Sequence, residues 1–240
     1  MGLGLGGVRL ISELWRQGLF KNVQSVLELG SQELHLIKED FEDIIQTYQV
    51  PNYCRKDFTP WKWPHQPRCS AEKFYKLLGI REYTCIYLNK NFGSIPHDLN
   101  EPFLDESLYG KFDMATDFGC AEHIFNMPEA YKTIHKLLKP GGIAIVNQGV
   151  IRGNGYYLYD LPFFEGIAAA NNYRIFSSSY EVNLKKTTER GSLIQHSLPA
   201  SVDIANIIDY AKIDYIGITY VFQKQENDDF KYPYQGLFLS

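Results

Sequence analysis

"FDMATDFGCAEHIFNMPEAYKTIHKLLKPGGIAIV", Phe112 to Val146, is the stretch whose reading decides the fold. Met114 to Phe118 reads as a short buried strand. Met127, Ala130, Tyr131, Ile134, Leu137 and Leu138 then recur at helical spacing, and Pro140 with Gly141 and Gly142 is expected to end the helix. "IAIV" follows as another buried strand. Strands alternating with helices imply a parallel sheet covered on both faces, with ligands at the carboxyl ends of its strands.

Working outward, "NVQSVLELGSQELHLI" (Asn22 to Ile37) places a strand at about Ser25 to Leu29, stopped by Gly30. Before it, Val8, Ile11, Leu14 and Trp15 share one face of a helix expected over about 8–20. The "MGLGLGG" ahead of that helix reads as a flexible leader. It lacks the strand that precedes a dinucleotide fingerprint, and residue 6 is glycine where a myristoylation signal wants serine or threonine. After Gly30, "KEDFEDIIQTY" is helix-compatible. Residues 50–69 then carry four prolines, Trp61 and Trp63, and no regular element fits them. An insertion of that length reads as a binding or lid-like loop. Ser70 can cap the helix "AEKFYKLLG", "YTCIYL" is a second strand, and a short third strand is expected near Ser94 to His97. Downstream, "LPFFEGIAAANNY" is helical, and "YRIFSSSYEV" and "DYIGITYVFQK" are strands. The expectation is one domain over 1–240.

The bulk numbers narrow the function. Of the 240 residues 15% are aromatic, which favours large planar surfaces in a core or around a ligand. A net charge of −4 with scattered lysines and arginines offers no footprint for nucleic acid. No apolar run is long enough to cross a bilayer, so the expected location is the cytoplasm and no membrane partner is expected. The four cysteines show no paired spacing. Cys54, His65 and Cys69 fall in one loop but match no familiar zinc pattern, so free thiols and no metal are expected.

The combination of Phe112-Asp113, Glu122-His123 and "LLKPGG", in that order and spacing, resembles the second half of a class I S-adenosylmethionine-dependent methyltransferase. "SVLELGS" stands where that family has its first cofactor motif, and "DLN" at Asp98 to Asn100 where it lines the adenine. The resemblance spans roughly Asn22 to Val150. It implies a doubly wound, mostly parallel seven-stranded sheet and S-adenosylmethionine as cofactor. Gly30 would let the backbone approach the cofactor, Glu28 would accept from its ammonium, and Ser31 and Gln32 would donate to its carboxylate. Asp98 and Leu99 would meet the adenine and Tyr87 or Asn89 the ribose, with Asp117 and Phe118 as further cofactor-binding candidates. Two departures stand out. The first loop has one glycine where the family has two or three, and Asn89 replaces the usual ribose carboxylate.

His123 is the candidate general base for a hydroxyl acceptor. Trp61 and Trp63 from the 50–69 loop, with Tyr156, Tyr157 and Tyr159 beyond the fifth strand, are expected to enclose the acceptor. Relatives of this layout tilt the acceptor towards a sugar or another small natural-product intermediate. A homo-oligomer is left open. The altered first loop also suits an alternative, a weak or inactive protein of this fold serving as a binding or scaffold subunit. A nicotinamide-dependent oxidoreductase is disfavoured, because no G-x-G-x-x-G follows a strand.

Overall fold

The computed structural model describes residues 2–184, 195–207, 209 and 211–234. In chain order its elements are β1 (Gly2–Gly4), α1 (Leu5–Arg16), β2 (Ser25–Leu29), β3 (Glu33–His35), α2 (Lys38–Thr47), α3 (Glu72–Leu77), β4 (Glu82–Tyr87), β5 (Ile95–Pro96), β6 (Phe112–Phe118), α4 (Met127–Leu137), β7 (Leu138–Ile151), α5 (Leu161–Ala170), β8 (Arg174–Leu184), β9 (Gln195–Pro199), α6 (Ile204–Ile207) and β10 (Ile213–Gln223). The main sheet has the order β5-β4-β2-β6-β7-β10-β8-β9. Strands β5 through β7 run parallel, and β10, β8 and β9 join antiparallel.

Side-chain alternation along these strands sorts the apolar residues onto two faces. Leu27, Ala115, Ala144, Val146 and Ile218 pack towards α4 and α5, with Ile134, Leu137 and Phe164 opposite them. Val26, Met114, Ile143, Ile145 and Val221 face α1, α2 and α3, meeting Val8, Ile11, Phe41 and Phe74. Burying both faces is what makes the central strands apolar throughout.

Four expectations are corrected. The main sheet has eight strands, because β9 adds an antiparallel edge beside β8. The helix α4 stops at Leu137, and Leu138 already pairs with Phe112, so the "KPGG" turn lies inside the irregular start of β7. Gly141 there has φ +80° and its amide donates to the Lys224 carbonyl at 2.7 Å. The N-terminal glycines are no loose leader: β1 pairs in parallel with β3, with Gly2 opposite Glu33 and Gly4 opposite His35. Helix α1 accordingly begins at Leu5 and ends at Arg16, ahead of the expected span, since Gly18 at φ +84° turns the chain away.

The 50–69 segment has no long regular element and is fastened from several directions. Trp61 Nε1 donates to the Leu36 carbonyl at 3.1 Å, and Lys73 Nζ to the Asp57 carbonyl at 2.6 Å. Arg68 Nη1 meets Glu33 Oε2 at 2.8 Å. Phe58 is buried, and it and Trp61 pack against Phe41 of α2 with ring centres 5.1 Å away in each case.

Candidate active site

The parallel strands β2, β4, β5 and β6 point their carboxyl ends the same way, and the turn after Leu29 opens at that end. Gly30 adopts φ +77°, a left-handed backbone that glycine reaches without steric cost, and its amide donates to the Ile86 carbonyl at 2.8 Å. The three polar residues around it face inward or are already engaged. Glu28 is fully buried, with Tyr83 Oη donating to its Oε2 at 2.5 Å and Oε1 without a hydrogen-bond partner among the described residues. Burial pushes its carboxyl up to about 8. Ser31 Oγ donates to the Asn91 carbonyl at 3.2 Å, and Gln32 Nε2 to the Leu29 carbonyl at 2.8 Å.

Along the rim, Asn89 is exposed and its Oδ1 accepts from the Asn91 amide at 2.9 Å. Tyr87 is half-buried, its carbonyl taking the His97 amide at 3.0 Å. Asp98 forms an Asx turn, Oδ1 accepting from the Asn100 amide at 2.9 Å and from Nδ2 at 2.8 Å, which holds the carboxyl below its ordinary range. Leu99 is buried beside it. Asn100 then grips Asn126, so the loop after β5 is tied to the start of α4.

Asp117 points inward. Its carboxylate accepts from the Cys120 amide at 2.8 Å, the Ala121 amide at 3.3 Å and Gln148 Nε2 at 2.6 Å. Burial pushes its carboxyl up to about 7. What Asp117 does is fix the loop that presents Glu122 and His123. Phe118 packs under the N-terminal segment, where a Cβ at Gly7 would come within 2.8 Å of its ring.

A cavity of about 340 Å³ lies on this side of the sheet, lined by Gly2 and Gly4 through Gly7, His35, Trp63, Phe118, Gly119, Glu122, His123, Asn147, Asn154, Glu181, Asn183 and Tyr215. Its described lining contains no lysine or arginine. Glu122 is 5% exposed. Its Oε2 accepts from the Gly149 amide at 2.7 Å, and its Oε1 lies 3.5 Å from His123 Nε2. Glu181 accepts from Thr219 Oγ1 at 3.2 Å, and burial raises its carboxyl to about 7. Burial, with Glu122 and Glu181 nearby, raises the Tyr215 phenol above its usual range. Burial also lowers the His35 imidazole to about 4, helped by Arg68, so this ring is neutral at pH 7. A larger cavity of about 540 Å³ lies by Tyr109, Lys136 and Lys224, at the other end of β6 and β10. It is remote from the strand ends that carry Gly30 and Glu122.

The five aromatic residues expected to enclose an acceptor are not brought together. Trp63 lines the cavity, with its ring centre 4.8 Å from that of His35 and the Arg68 guanidinium 5.0 Å over its face. Trp61 is instead committed to the α2 core. Tyr159 is 4% exposed, edge-on to Phe163 and tilted against Phe164. Tyr156 is 71% exposed, edge-on to Phe125, and Tyr157 Oη donates to the Phe125 carbonyl at 2.6 Å. Sequence reading passed over Glu181, Tyr215, His35 and the N-terminal glycines as site residues. A lone glutamate in the strand "SSSYEV" was a usable signal; the others depend on chain segments far apart in sequence.

No family model matches the chain, and no curated protein does either. Among solved structures it is similar to the 1,6-didemethyltoxoflavin-N1-methyltransferase of Burkholderia thailandensis, determined with 1,6-didemethyltoxoflavin and S-adenosylhomocysteine bound. The identity is 14% and the TM-score 0.47, over 91% of this chain and 78% of that one. It is similar to a SAM-dependent methyltransferase from Archaeoglobus fulgidus at 10% identity and TM-score 0.46, over 90% and 94% of the two chains. The [4+2]-cyclase SpnF matches at 12% identity and TM-score 0.45, over 90% and 80%.

Proposed function

We propose that this protein transfers a methyl group from S-adenosylmethionine to a small polar acceptor. The observation that carries the reading is a convergence at the carboxyl end of the parallel strands. The left-handed Gly30 turn, the Asp98-Leu99 loop and the Glu122-His123 loop all follow carboxyl ends of parallel strands, and the Glu122-His123 loop lines a polar cavity there. One of the chain's own groups fits such a cofactor directly: Glu122 is buried and lines a cavity whose described lining holds no lysine or arginine, which suits a cationic ligand.

When bound, the cofactor supplies an electrophilic methyl on a positively charged sulfur. The protein's part is positioning and drying the site. Gly30, Asn89, Asp98 and Leu99 would hold the adenosine half. His123, 39% exposed at its side chain and lining the cavity, would take the proton from an attacking hydroxyl or amine. Asn154 and Trp63 line the cavity with an amide and one aromatic face, a pair suited to a sugar or comparable polar metabolite. We place the working protein in the cytoplasm.

A second reading has its own support. Ser31 and Gln32 spend their donors on backbone carbonyls, and Glu28 is sealed under Tyr83, as in a binding or scaffold protein that keeps the fold without turnover. Calorimetric titration with S-adenosylmethionine and S-adenosylhomocysteine, followed by labelled-methyl incorporation across an acceptor panel, separates the two. Micromolar binding with label transfer is the expected result. Binding without transfer to any acceptor favours the second reading, and absence of binding ends the first.

A further inference from the structure

The larger cavity, about 540 Å³, lies where the turn before β6, the segment after β10 and the second half of α4 meet, away from the strand ends that carry Gly30 and Glu122. The proposed reaction makes no use of it. Helix α4 presents Lys132 and Lys136 to this cavity at the i, i+4 spacing that puts both on one helix face. Lys136 is half-buried. Its Nζ stands 5.1 Å over the Tyr109 ring and 3.2 Å from the Tyr109 hydroxyl, and among the described residues it forms no ion pair. Lys132 Nζ makes one long contact, 3.6 Å to Glu129 Oε2. Lys224 adds a third cationic group to the lining, although its hydrogens already go to the His135 and Leu138 carbonyls and to Asn227 Oδ1.

The chain after β10 supplies an aromatic wall. Phe230 is edge-on to His135 and to Tyr232, with ring centres 5.6 Å apart in each case. Tyr232 is 53% exposed, so ring surface stands open in the same cavity as the lysines. The His135 ring nitrogens are engaged, one with the Tyr173 hydroxyl at 2.6 Å and the other with the Asp228 carbonyl at 2.7 Å. Burial lowers this imidazole, which is neutral at pH 7. Two carboxylates also line the cavity, and neither neutralises Lys132 or Lys136. Asp228 Oδ2 is bound to Lys231 Nζ at 2.6 Å, and Asp229 is exposed, where solvent screens it. A half-buried cation without a counter-charge, beside open ring surface, is matched by a flat ring that carries an anion.

We propose that this cavity is a second ligand site, for a planar aromatic molecule with an anionic substituent, the anion on Lys132 and Lys136 and the ring against Phe230 and Tyr232. Such a ligand supplies the counter-charge that Lys136 lacks and covers aromatic surface that the chain leaves open. The site stands independently of the methyltransferase reading, because it shares no lining residue with the cavity that holds Glu122 and His123.

The probe is 2-naphthyl phosphate, titrated by calorimetry into the full chain, with 2-naphthol and inorganic phosphate as its two halves. Saturable binding of the probe, about tenfold tighter than either half, is the expected result. Lys136→Gln and Lys132→Gln should each weaken it about fivefold, and the double variant should reduce it to the affinity of 2-naphthol. Phe230→Leu should weaken the probe and 2-naphthol alike. The lysine variants decide the matter should Phe230→Leu fail to fold. Trp63→Ala, in the other cavity, should leave probe affinity within about twofold. Absence of saturable binding by the wild type, wild-type affinity in the double lysine variant, or loss of binding in Trp63→Ala would each overturn the site. Inorganic phosphate binding as tightly as the probe would overturn it as well, since the ring would then contribute nothing.

Discussion

Replacing Glu28 by glutamine should make the unliganded protein more stable, and increasingly so as pH rises. The carboxyl is fully buried, and burial raises it from 4.5 to about 8. Its folded form therefore holds a proton that the unfolded form releases above pH 4.5. The sign follows directly: between pH 4.5 and about 8 the folded state binds more protons than the unfolded one, so stability falls as pH rises through that window. At about 1.4 kcal/mol for each tenfold, the loss at pH 7 is roughly 3 kcal/mol. Glutamine keeps an acceptor for Tyr83 Oη and carries no titrating proton. Asp117 and Glu181 titrate with the same sign, but they do so in both proteins and cancel in the difference. Urea unfolding of wild type and Glu28→Gln at half-unit steps from pH 4 to 8 measures it. The two curves should coincide near pH 4 and separate to about 3 kcal/mol at pH 7, a melting shift of roughly 6–12 °C for a chain of this size. A difference that stays flat from pH 5 to pH 8 would refute the reasoning. The experiment also bears on function, since a carboxyl kept at such a cost next to Gly30 is expected where a site outweighs stability.

The remaining predictions concern single side chains. Lys224 is 1% exposed and donates to the His135 carbonyl at 2.6 Å and the Leu138 carbonyl at 3.0 Å, holding the end of α4. Lys224→Met should leave both carbonyls unanswered and cost about 2–4 kcal/mol in urea unfolding; a loss under 1 kcal/mol would contradict this role. Trp61→Ala should destabilise by about 3 kcal/mol, because its ring fills the space against Phe41, whereas Trp63→Ala should cost about 1 kcal/mol or less; equal losses would put both in the core. With an acceptor in hand, His123→Gln should lower turnover by about 10²-fold or more and leave S-adenosylhomocysteine affinity within about twofold. Turnover near wild type would remove His123 as the base.

Local pattern by itself determined a good deal of this protein. The helical repeat from Met127 to Leu137, the apolar strands ending at Leu29 and Phe118, and their alternation already implied a parallel sheet covered on both faces. These signals are short-range: side-chain period and the stopping power of glycine and proline act within a few residues. The same range explains the misplaced boundary at "KPGG", where the pairing of Leu138 with Phe112 overrides the proline and glycine signal. Tertiary structure decided what the site is made of. Gly2 to Gly4 read as a loose leader because nothing adjacent holds them; only β3, some thirty residues on, gives their backbone a partner. Trp61 and Trp63 are two residues apart and look alike, yet Phe41 claims one and His35 the other. Glu28, Glu122 and Glu181 are the same residue type, and only the folded chain determines which is sealed beneath Tyr83 and which lie at the cavity. Burial and charge pairing are properties of segments brought together from far apart, and no local window contains them.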